Sequence, residues 1–343
     1  MRDLRPLLDK LLPDLVDFRR DLHQHPECSY REERTAARVL ERLKEIPDIE
    51  LRNGVAGTGI VATLAGDKAG PCVALRADMD ALPIEEQSSV PHRSQVAGTM
   101  HACGHDGHTT CLLGAAQMLA ACVDELQGPV KFIFQPAEEG GAGGKRMCQE
   151  GALDGPEVAA IFGLHGAPDM EVGEIFLRTG PVLASADEFE IAVEGLGAHA
   201  AFPHQGVDTV YIAAQIVVAL QTIVARNTDP LDSAVVTVGH IAAGSASNII
   251  PQAAKLVGTV RALSEETRQR TIDRVGQIAE HTAAAFGGRA EVRFGEDGYP
   301  ATYNDARARA VAEQTVRDAL ADTIRMRELE NPIMGAEDFA FYG

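Results

Sequence analysis

The chain is short of cysteine. Its six, Cys28, Cys72, Cys103, Cys111, Cys122 and Cys148, are scattered over 343 residues, and no two form a C-x-x-C pair. That density excludes a disulfide scaffold and fits a reducing cytosol, so a cytoplasmic location is expected. In the Ala/Leu-rich stretch after residue 108, Cys111 and Cys122 read as small core hydrophobes. Basic residues are also scarce, 31 against 50 acidic, for a net charge of -19. Nucleic-acid binding needs basic surface to displace counterions, so no nucleic-acid partner is expected. A few local arginines could still hold an anionic small molecule. Long apolar runs are missing too. The amino-terminal segment interleaves charges with Leu4, Leu7, Leu8, Leu11, Leu12 and Leu15. That spacing predicts an amphipathic helix and not a signal peptide. No stretch is expected to span a bilayer, which excludes a membrane partner. Low-complexity segments are absent. With 45% hydrophobic and 24% charged residues, the chain reads as a globular protein of about two domains.

What is present is concentrated chemistry. In Met100-His101-Ala102-Cys103-Gly104-His105-Asp106-Gly107-His108, five groups able to bind a metal or move a proton fall between His101 and His108. Two glycines let the backbone bend so that several could converge. Thiolate, imidazole and carboxylate together suit a borderline transition ion such as zinc or manganese. The plain alternative is a glycine-rich turn ahead of a helix that happens to be rich in histidine. Matching groups recur downstream, however. Glu138-Glu139 follows the apolar run Val130 to Phe134 and precedes a glycine-rich loop, and His165 follows the run Ala159 to Leu164. Asp78 and Asp80 close a third run that begins at Cys72. Ligands collect at the carboxyl ends of strands in open α/β sheets, and here three predicted strands end in suitable groups.

Helices are predicted over the amino terminus, Glu32 to Lys44 and Thr109 to Val123, and strands over Gly59 to Leu64 and the three runs above, an α/β alternation. The character changes near Ser185. From there the order is strand Glu188 to Val193, helix Val207 to Arg226, strands Ala234 to Ile241 and Ala254 to Ala262, helix Glu265 to Phe286, and strand Ala290 to Phe294. This βαββαβ order is that of a ferredoxin-like split unit. The expected organisation is an α/β domain over 1–185, an inserted domain over 186–295 and a return to the first domain over 296–343. Within the insert, His199 and His204 sit in a strand-to-helix turn, Asn248 in a turn between strands, and Arg261 near a strand end. Each taken singly would suit a structural role.

Taken together these segments resemble the M20 metallopeptidase family, in its branch of amidohydrolases that act on N-acyl amino acids, hippurate and auxin–amino acid conjugates. The resemblance rests on Asp21 through Glu27, Leu75 through Pro83, Met100 through His108, Phe134 through Gly140, Gly163-Leu164-His165, His199 through His204, Gly258 through Arg261 and Met334 through Phe339. They run in family order over nearly the whole chain. It implies a metal-bearing catalytic α/β domain interrupted by a ferredoxin-like lid that often dimerises. It also implies two divalent ions, manganese or zinc, with Cys103, His105, Glu139 and His165 as metal ligands and Glu138 as catalytic general base. Asp80 would orient an imidazole from behind the ligands. His199 would be a catalytic residue brought to the substrate by the lid, with Asn248 and Arg261 binding the substrate. The implied reaction is metal-dependent hydrolysis of the amide bond of N-acyl, hippurate-like amino acids, with a small-molecule N-acyl amino acid as substrate and a homodimer formed through the lid. Family members run on beyond Met334–Phe339 with one more histidine ligand, whereas this chain stops at Gly343. The expectation is therefore a truncated chain with one metal site incomplete. Two other functions compete: an inactive or weakly active relative that only binds ligand or metal, and a thiol hydrolase with Cys103 as nucleophile and His105 as its base.

Overall fold

Leucines three and four apart place helix α1 at Arg5–Gln24, which buries Leu15, Phe18, Leu22 and His23. The computed structural model describes residues 3–343. Helix α2 (Glu33–Leu43) buries Ala36, Val39 and Leu43. Ala37 is exposed because it sits about 100° round the helix from Ala36. Five strands follow: β1 (Glu50–Val55), β2 (Gly59–Leu64), β3 (Cys72–Asp78), β4 (Val130–Gln135) and β5 (Val158–Gly163). Helix α3 (His105–Ala120) lies between β3 and β4, and two short helices, α4 (Glu138–Gly141) and α5 (Gly143–Gln149), lie between β4 and β5. Strand β1, whose residues are mostly exposed, has no apolar run to announce it in the sequence.

The sheet order is β1-β2-β4-β3-β5. The pairs β1/β2 and β2/β4 are antiparallel, and β3 runs parallel to both β4 and β5. All six residues of β2 and of β4 are buried, as strands covered on both faces require. Leu22, Val39, Leu43, Phe132, Phe134 and Leu113 anchor one hydrophobic cluster, each such side chain contributing about 1.5–3 kcal/mol on burial. Cys111 departs from expectation. It lies exposed because α3 turns about 100° between it and Leu112, which faces the core.

This sheet belongs to a unit that includes the described residues up to Ile175, with Ala310–Met326 and Phe341–Gly343. The second unit comprises Phe176–Arg309 and Arg327–Ala340. It encloses the 186–295 segment and adds residues on both sides of it. Strand β6 (Glu174–Leu177) leads into it and β7 (Gly180–Leu183) follows. Its centre is built from β8 (Asp187–Glu194), β9 (Ala198–His199), α6 (Thr209–Thr222), β10 (Ala234–Ala243), β11 (Ile249–Ile250), β12 (Ala253–Ala262), α7 (Glu265–Ala285) and β13 (Arg289–Phe294). The four long strands pair antiparallel in the order β10-β12-β8-β13. Numbered within the insert that order is 2-3-1-4, the ferredoxin-like arrangement. Phe189, Ile191, Ile212, Ile216, Leu220, Leu256, Val275 and Ala279 share its core. Strand β14 (Thr302–Asn304) pairs with β7, and α8 (Ala306–Ala319) and β15 (Arg325–Glu328) follow.

One expectation needs correction. Thr209–Asn227, α6 with the π-helical turn Ile223–Asn227, is long and apolar enough to cross a membrane by length and composition. In the sequence, Gln215, Gln221 and Thr222 interrupt the apolar run. In the fold, Ile212, Ala213, Ile216, Leu220 and Ile223 of this segment pack in the core of the inserted domain. Val210, Tyr211, Val218 and Val224 remain exposed on its other side.

Candidate metal centre

Because β4, β3 and β5 are adjacent and parallel, their carboxyl ends share one edge of the sheet. Asp78 and Asp80 leave β3 there, Glu138 and Glu139 leave β4, and His165 leaves β5. The Met100–His108 segment supplies the rest. Gly104 adopts φ 89°, a left-handed conformation that glycine reaches without a Cβ clash, and turns the chain into α3. The helix starts at His105, four residues before the expected Thr109, so His105 and His108 stand one turn apart with ring centroids 5.4 Å from each other.

Donor atoms of Cys103, His105 and His165 all lie within 4.8 Å of one another, and so do those of His105, Glu138 and Glu139. Cys103 Sγ is 3.4 Å from His165 Nε2. His105 Nε2 lies 4.0 Å from Glu139 Oε1 and is buried without a hydrogen-bond partner. Its other nitrogen, Nδ1, is 3.2 Å from Asp80 Oδ1. An imidazole held from behind by a carboxylate, with an orphaned buried nitrogen facing thiol and carboxylate oxygen, fits a divalent metal cation. His165 is held in a matching way, since its Nδ1 meets Gly166 O at 2.7 Å.

The electrostatics follow from this crowding. Burial opposes a charged His105, but Asp78, the bond to Asp80 and the neighbouring Cys103 outweigh it and push its pKa up to about 12. Contact with Cys103 pushes His165 up to about 9, and contacts with His105 and His165 pull the Cys103 thiol down. Burial raises Glu139. Asp78 is desolvated, yet Arg76, His105 and His108 hold it ionised well below the usual carboxylate range. The site thus concentrates negative donors and imidazoles that a cation would satisfy together.

His108 is placed differently from its neighbours. Its Nδ1 is 2.7 Å from Asp78 Oδ1, and its Nε2 accepts the Gly166 amide at 2.8 Å. Both ring nitrogens are engaged, so His108 straps the end of β5 to β3 instead of offering a lone pair. Asp106 faces away from the cluster into a polar set of its own, with His23 Nδ1 at 2.9 Å and Arg19 Nε at 2.7 Å. His101 is buried, neither of its ring nitrogens has a hydrogen-bond partner, and desolvation pulls its pKa down to about 4.

The turn bearing Glu138 and Glu139 is tightly built. Ala137 and Ala142 hold φ of 54° and 49°. Side chains from the α1–α2 connection reach this turn. Ser29 donates to Asp80 Oδ2 at 2.7 Å, Asp80 Oδ2 accepts the Glu139 amide at 2.9 Å, and Tyr30 donates to Gly141 O at 2.6 Å. These supporting residues were invisible in the sequence, where the segment after Pro26 shows no spacing or composition that points to a site.

In the inserted domain, β9 pairs with β11 so that His199 opposes Ile249, and the Ala200 amide donates to Asn248 O at 3.0 Å. Residues 199 and 248, remote in sequence, are therefore neighbours. Arg261 lies toward the other end of β12 from Asn248, opposite Val235. At about 3.3 Å per residue the strand separates it from Ala253 by roughly 26 Å. The fold of this domain brings His199 and Asn248 together and leaves Arg261 apart from them.

Residues 74–343 match the family model described as Peptidase family M20/M25/M40. An N-acetyl-L-cysteine deacetylase of Bacillus subtilis is 45% identical over 336 residues, 98% of this chain and 79% of the relative. An IAA-amino acid hydrolase of Arabidopsis thaliana, ILR1-like 4, is 40% identical, with 96% of this chain and 74% of the relative covered. Among solved structures, a Bacillus subtilis protein described as a dinuclear metal binding peptidase from the M20 family superposes with a TM-score of 0.81 at 38% identity, covering 97% of this chain and 86% of the other.

Proposed function

Because the chain belongs to peptidase family M20/M25/M40 and is a metal-dependent amidohydrolase of that family, we propose that its substrates are N-acyl amino acids. The observation that carries this reading is the convergence of thiol, two imidazoles and two carboxylates on one sheet edge. Two relatives support the substrate class, since their names specify an N-acetylated cysteine and an IAA-amino acid.

In this reading Cys103, His105, Glu139 and His165 hold divalent metal, manganese or zinc, in a centre of two ions. A divalent ion there supplies Lewis acidity, which polarises the amide carbonyl and makes a water acidic near neutral pH. Asp80 accepts the Nδ1 proton of His105, so the Nε2 lone pair is the one presented. Glu138, buried on the turn beside Glu139, takes the proton from the attacking water and returns it to the leaving nitrogen. His199 donates to the developing oxyanion, and its neighbour Asn248 binds the substrate's carbonyl. Arg261, too far from that pair within one inserted domain to share a small substrate with it, binds the carboxylate as the partner copy's group in a homodimer. A planar guanidinium suits a carboxylate, which favours acylated amino acids over simple amides. Assembly as a homodimer through the inserted domain is supported by the exposed apolar side of α6, with Val210, Tyr211, Val218 and Val224, and by the unpaired edge of β10. A cytoplasmic setting is supported by the low cysteine count, six scattered over 343 residues with no C-x-x-C pair.

The test separates proton transfer from metal binding. Glu138→Gln keeps the shape and loses the base, so it should lower hydrolysis of an N-acyl amino acid by about 10²–10⁴-fold with metal content unchanged. Glu139→Gln should instead lower metal content. Chelation should abolish wild-type activity, whereas a Cys103 nucleophile would survive it. Wild-type turnover in Glu138→Gln would refute the assignment.

A further inference from the structure

We infer that Glu32 is a positioning residue whose buried carboxylate holds the turn carrying Glu138 and Glu139 in its working shape. Glu32 is fully buried. Its Oε1 accepts the amides of Tyr30 and Ala137, each at 2.9 Å, and its Oε2 accepts the Thr58 hydroxyl at 2.6 Å. Three segments thus meet on one side chain: the α1–α2 connection, the β1–β2 hairpin and the exit from β4.

The grip on Ala137 is the important one, because this residue directly precedes Glu138. Its φ of 54° is a left-handed conformation that a residue with a Cβ seldom adopts unless its surroundings enforce it. At Gly143 a Cβ would stand 1.7 Å from Pro136 O, so the far side of the turn folds back onto its start. Asp80 fixes the Glu139 amide and Tyr30 fixes the Gly141 carbonyl. Glu32 completes this series at the point where the chain leaves β4.

Stability alone does not account for a carboxylate at this position. Burial raises the Glu32 pKa, a desolvation cost that an apolar side chain would avoid. What a carboxylate or its isosteric amide offers, and an apolar side chain does not, is an oxygen that receives two amides at once while its other terminal atom is pinned by Thr58. Such backbone strain, enforced by a dedicated buried group, is typical of functional turns. Release of Ala137 would let Glu138 and Glu139 wander together, and displacement of about 1 Å can cost about 10²-fold in rate. The inference rests on the proposed roles of those two residues.

Three variants test it: Glu32→Ala, Glu32→Gln and Thr58→Val. The glutamine retains Oε1 for both amides, and its NH₂ can donate to the Thr58 oxygen, so kcat should stay within a few-fold of wild type. Glu32→Ala should lower kcat for an N-acyl amino acid by about 10–100-fold, with KM changed only a few-fold. Amide hydrogen exchange in the peptide spanning 134–142 of the metal-free protein should accelerate at least tenfold in Glu32→Ala, with peptides of the inserted domain unchanged. Thr58→Val, which removes only the pin on Oε2, should shift both readouts in the same direction by several-fold, and it decides the matter if Glu32→Ala does not fold. Unchanged exchange and kcat in folded Glu32→Ala, or in Thr58→Val where alanine fails to fold, would overturn the inference. A rate loss in Glu32→Gln as large as in Glu32→Ala would do so too. If the wild type hydrolyses no N-acyl amino acid, the functional reading fails, and the exchange measurement still decides whether Glu32 holds the turn.

Discussion

Replacing Asp80 by asparagine keeps volume and removes one acceptor. Asp80 serves three partners: Oδ1 faces His105 Nδ1 at 3.2 Å, and Oδ2 accepts the Ser29 hydroxyl at 2.7 Å and the Glu139 amide at 2.9 Å. An asparagine can satisfy one side only. If its NH₂ points to His105, the ring must accept at Nδ1 and carry its proton on Nε2, which removes the lone pair needed for a metal. If the amide is turned round, its NH₂ meets the Glu139 N–H, and a buried donor goes unsatisfied at a cost of about 1–3 kcal/mol. Either orientation harms a proposed ligand. Loss of such a supporting partner typically lowers metal affinity by about 10–100-fold, which is about 1.4–2.7 kcal/mol. Competition of Asp80→Asn and wild type against a chelator of known zinc affinity measures this directly. Equal affinity within about twofold would show that Asp80 does not set the state of His105, and the argument from its geometry would fall.

Cys103→Ser and His165→Ala should each reduce the metal retained after dialysis, because their donor atoms lie 3.4 Å apart and would share an ion; undiminished metal content in both would remove them from the ligand set. A pH effect is expected at His23, whose pKa is raised by its hydrogen bond to Asp106 against the opposing effect of burial. A folded-state pKa above the unfolded value of about 6.5 means that the pair's stabilisation is complete below that pH and is lost as pH rises through the folded value. Thermal melting from pH 5.5 to 8.5 should therefore show wild type and His23→Gln converging as pH rises, and a constant gap would exclude the linkage.

Much of the fold was legible because its signals are local. The apolar runs at Val130, Cys72 and Ala159 became β4, β3 and β5, with β4 and β3 running further than predicted and β5 shifted one residue earlier. The βαββαβ order of the insert gave its topology, since alternation of buried and exposed residues in β8 is complete from Asp187 to Glu194. Strand β1 was not legible, because its residues are largely solvated and its pairing with β2 comes from the hairpin. Within the site, the motif around Cys103 announced the donors, but their division of labour depends on side-chain direction. His108 and His105 look equivalent in sequence, and only the positions of Asp78 and Gly166 make one a strap and leave the other with an orphaned nitrogen. Glu32 is one acidic residue in Arg31-Glu32-Glu33-Arg34, and its burial is decided by the loop that precedes α2.

The strand order has a consequence for how the chain is made. Strand β3 lies between β4 and β5, so its two flanks are occupied only by segments synthesised after it. Roughly 85 residues separate the end of β3 from the end of β5, and at about 5–20 residues per second a ribosome needs about 4–17 s to deliver them. During that interval Cys103 and His105 emerge before Glu139 and His165 exist. A nascent chain that captured a cation early would do so with an unfinished set of donors. The order of synthesis therefore favours closure of the sheet first and loading of metal afterwards, with the last strand as the gatekeeper.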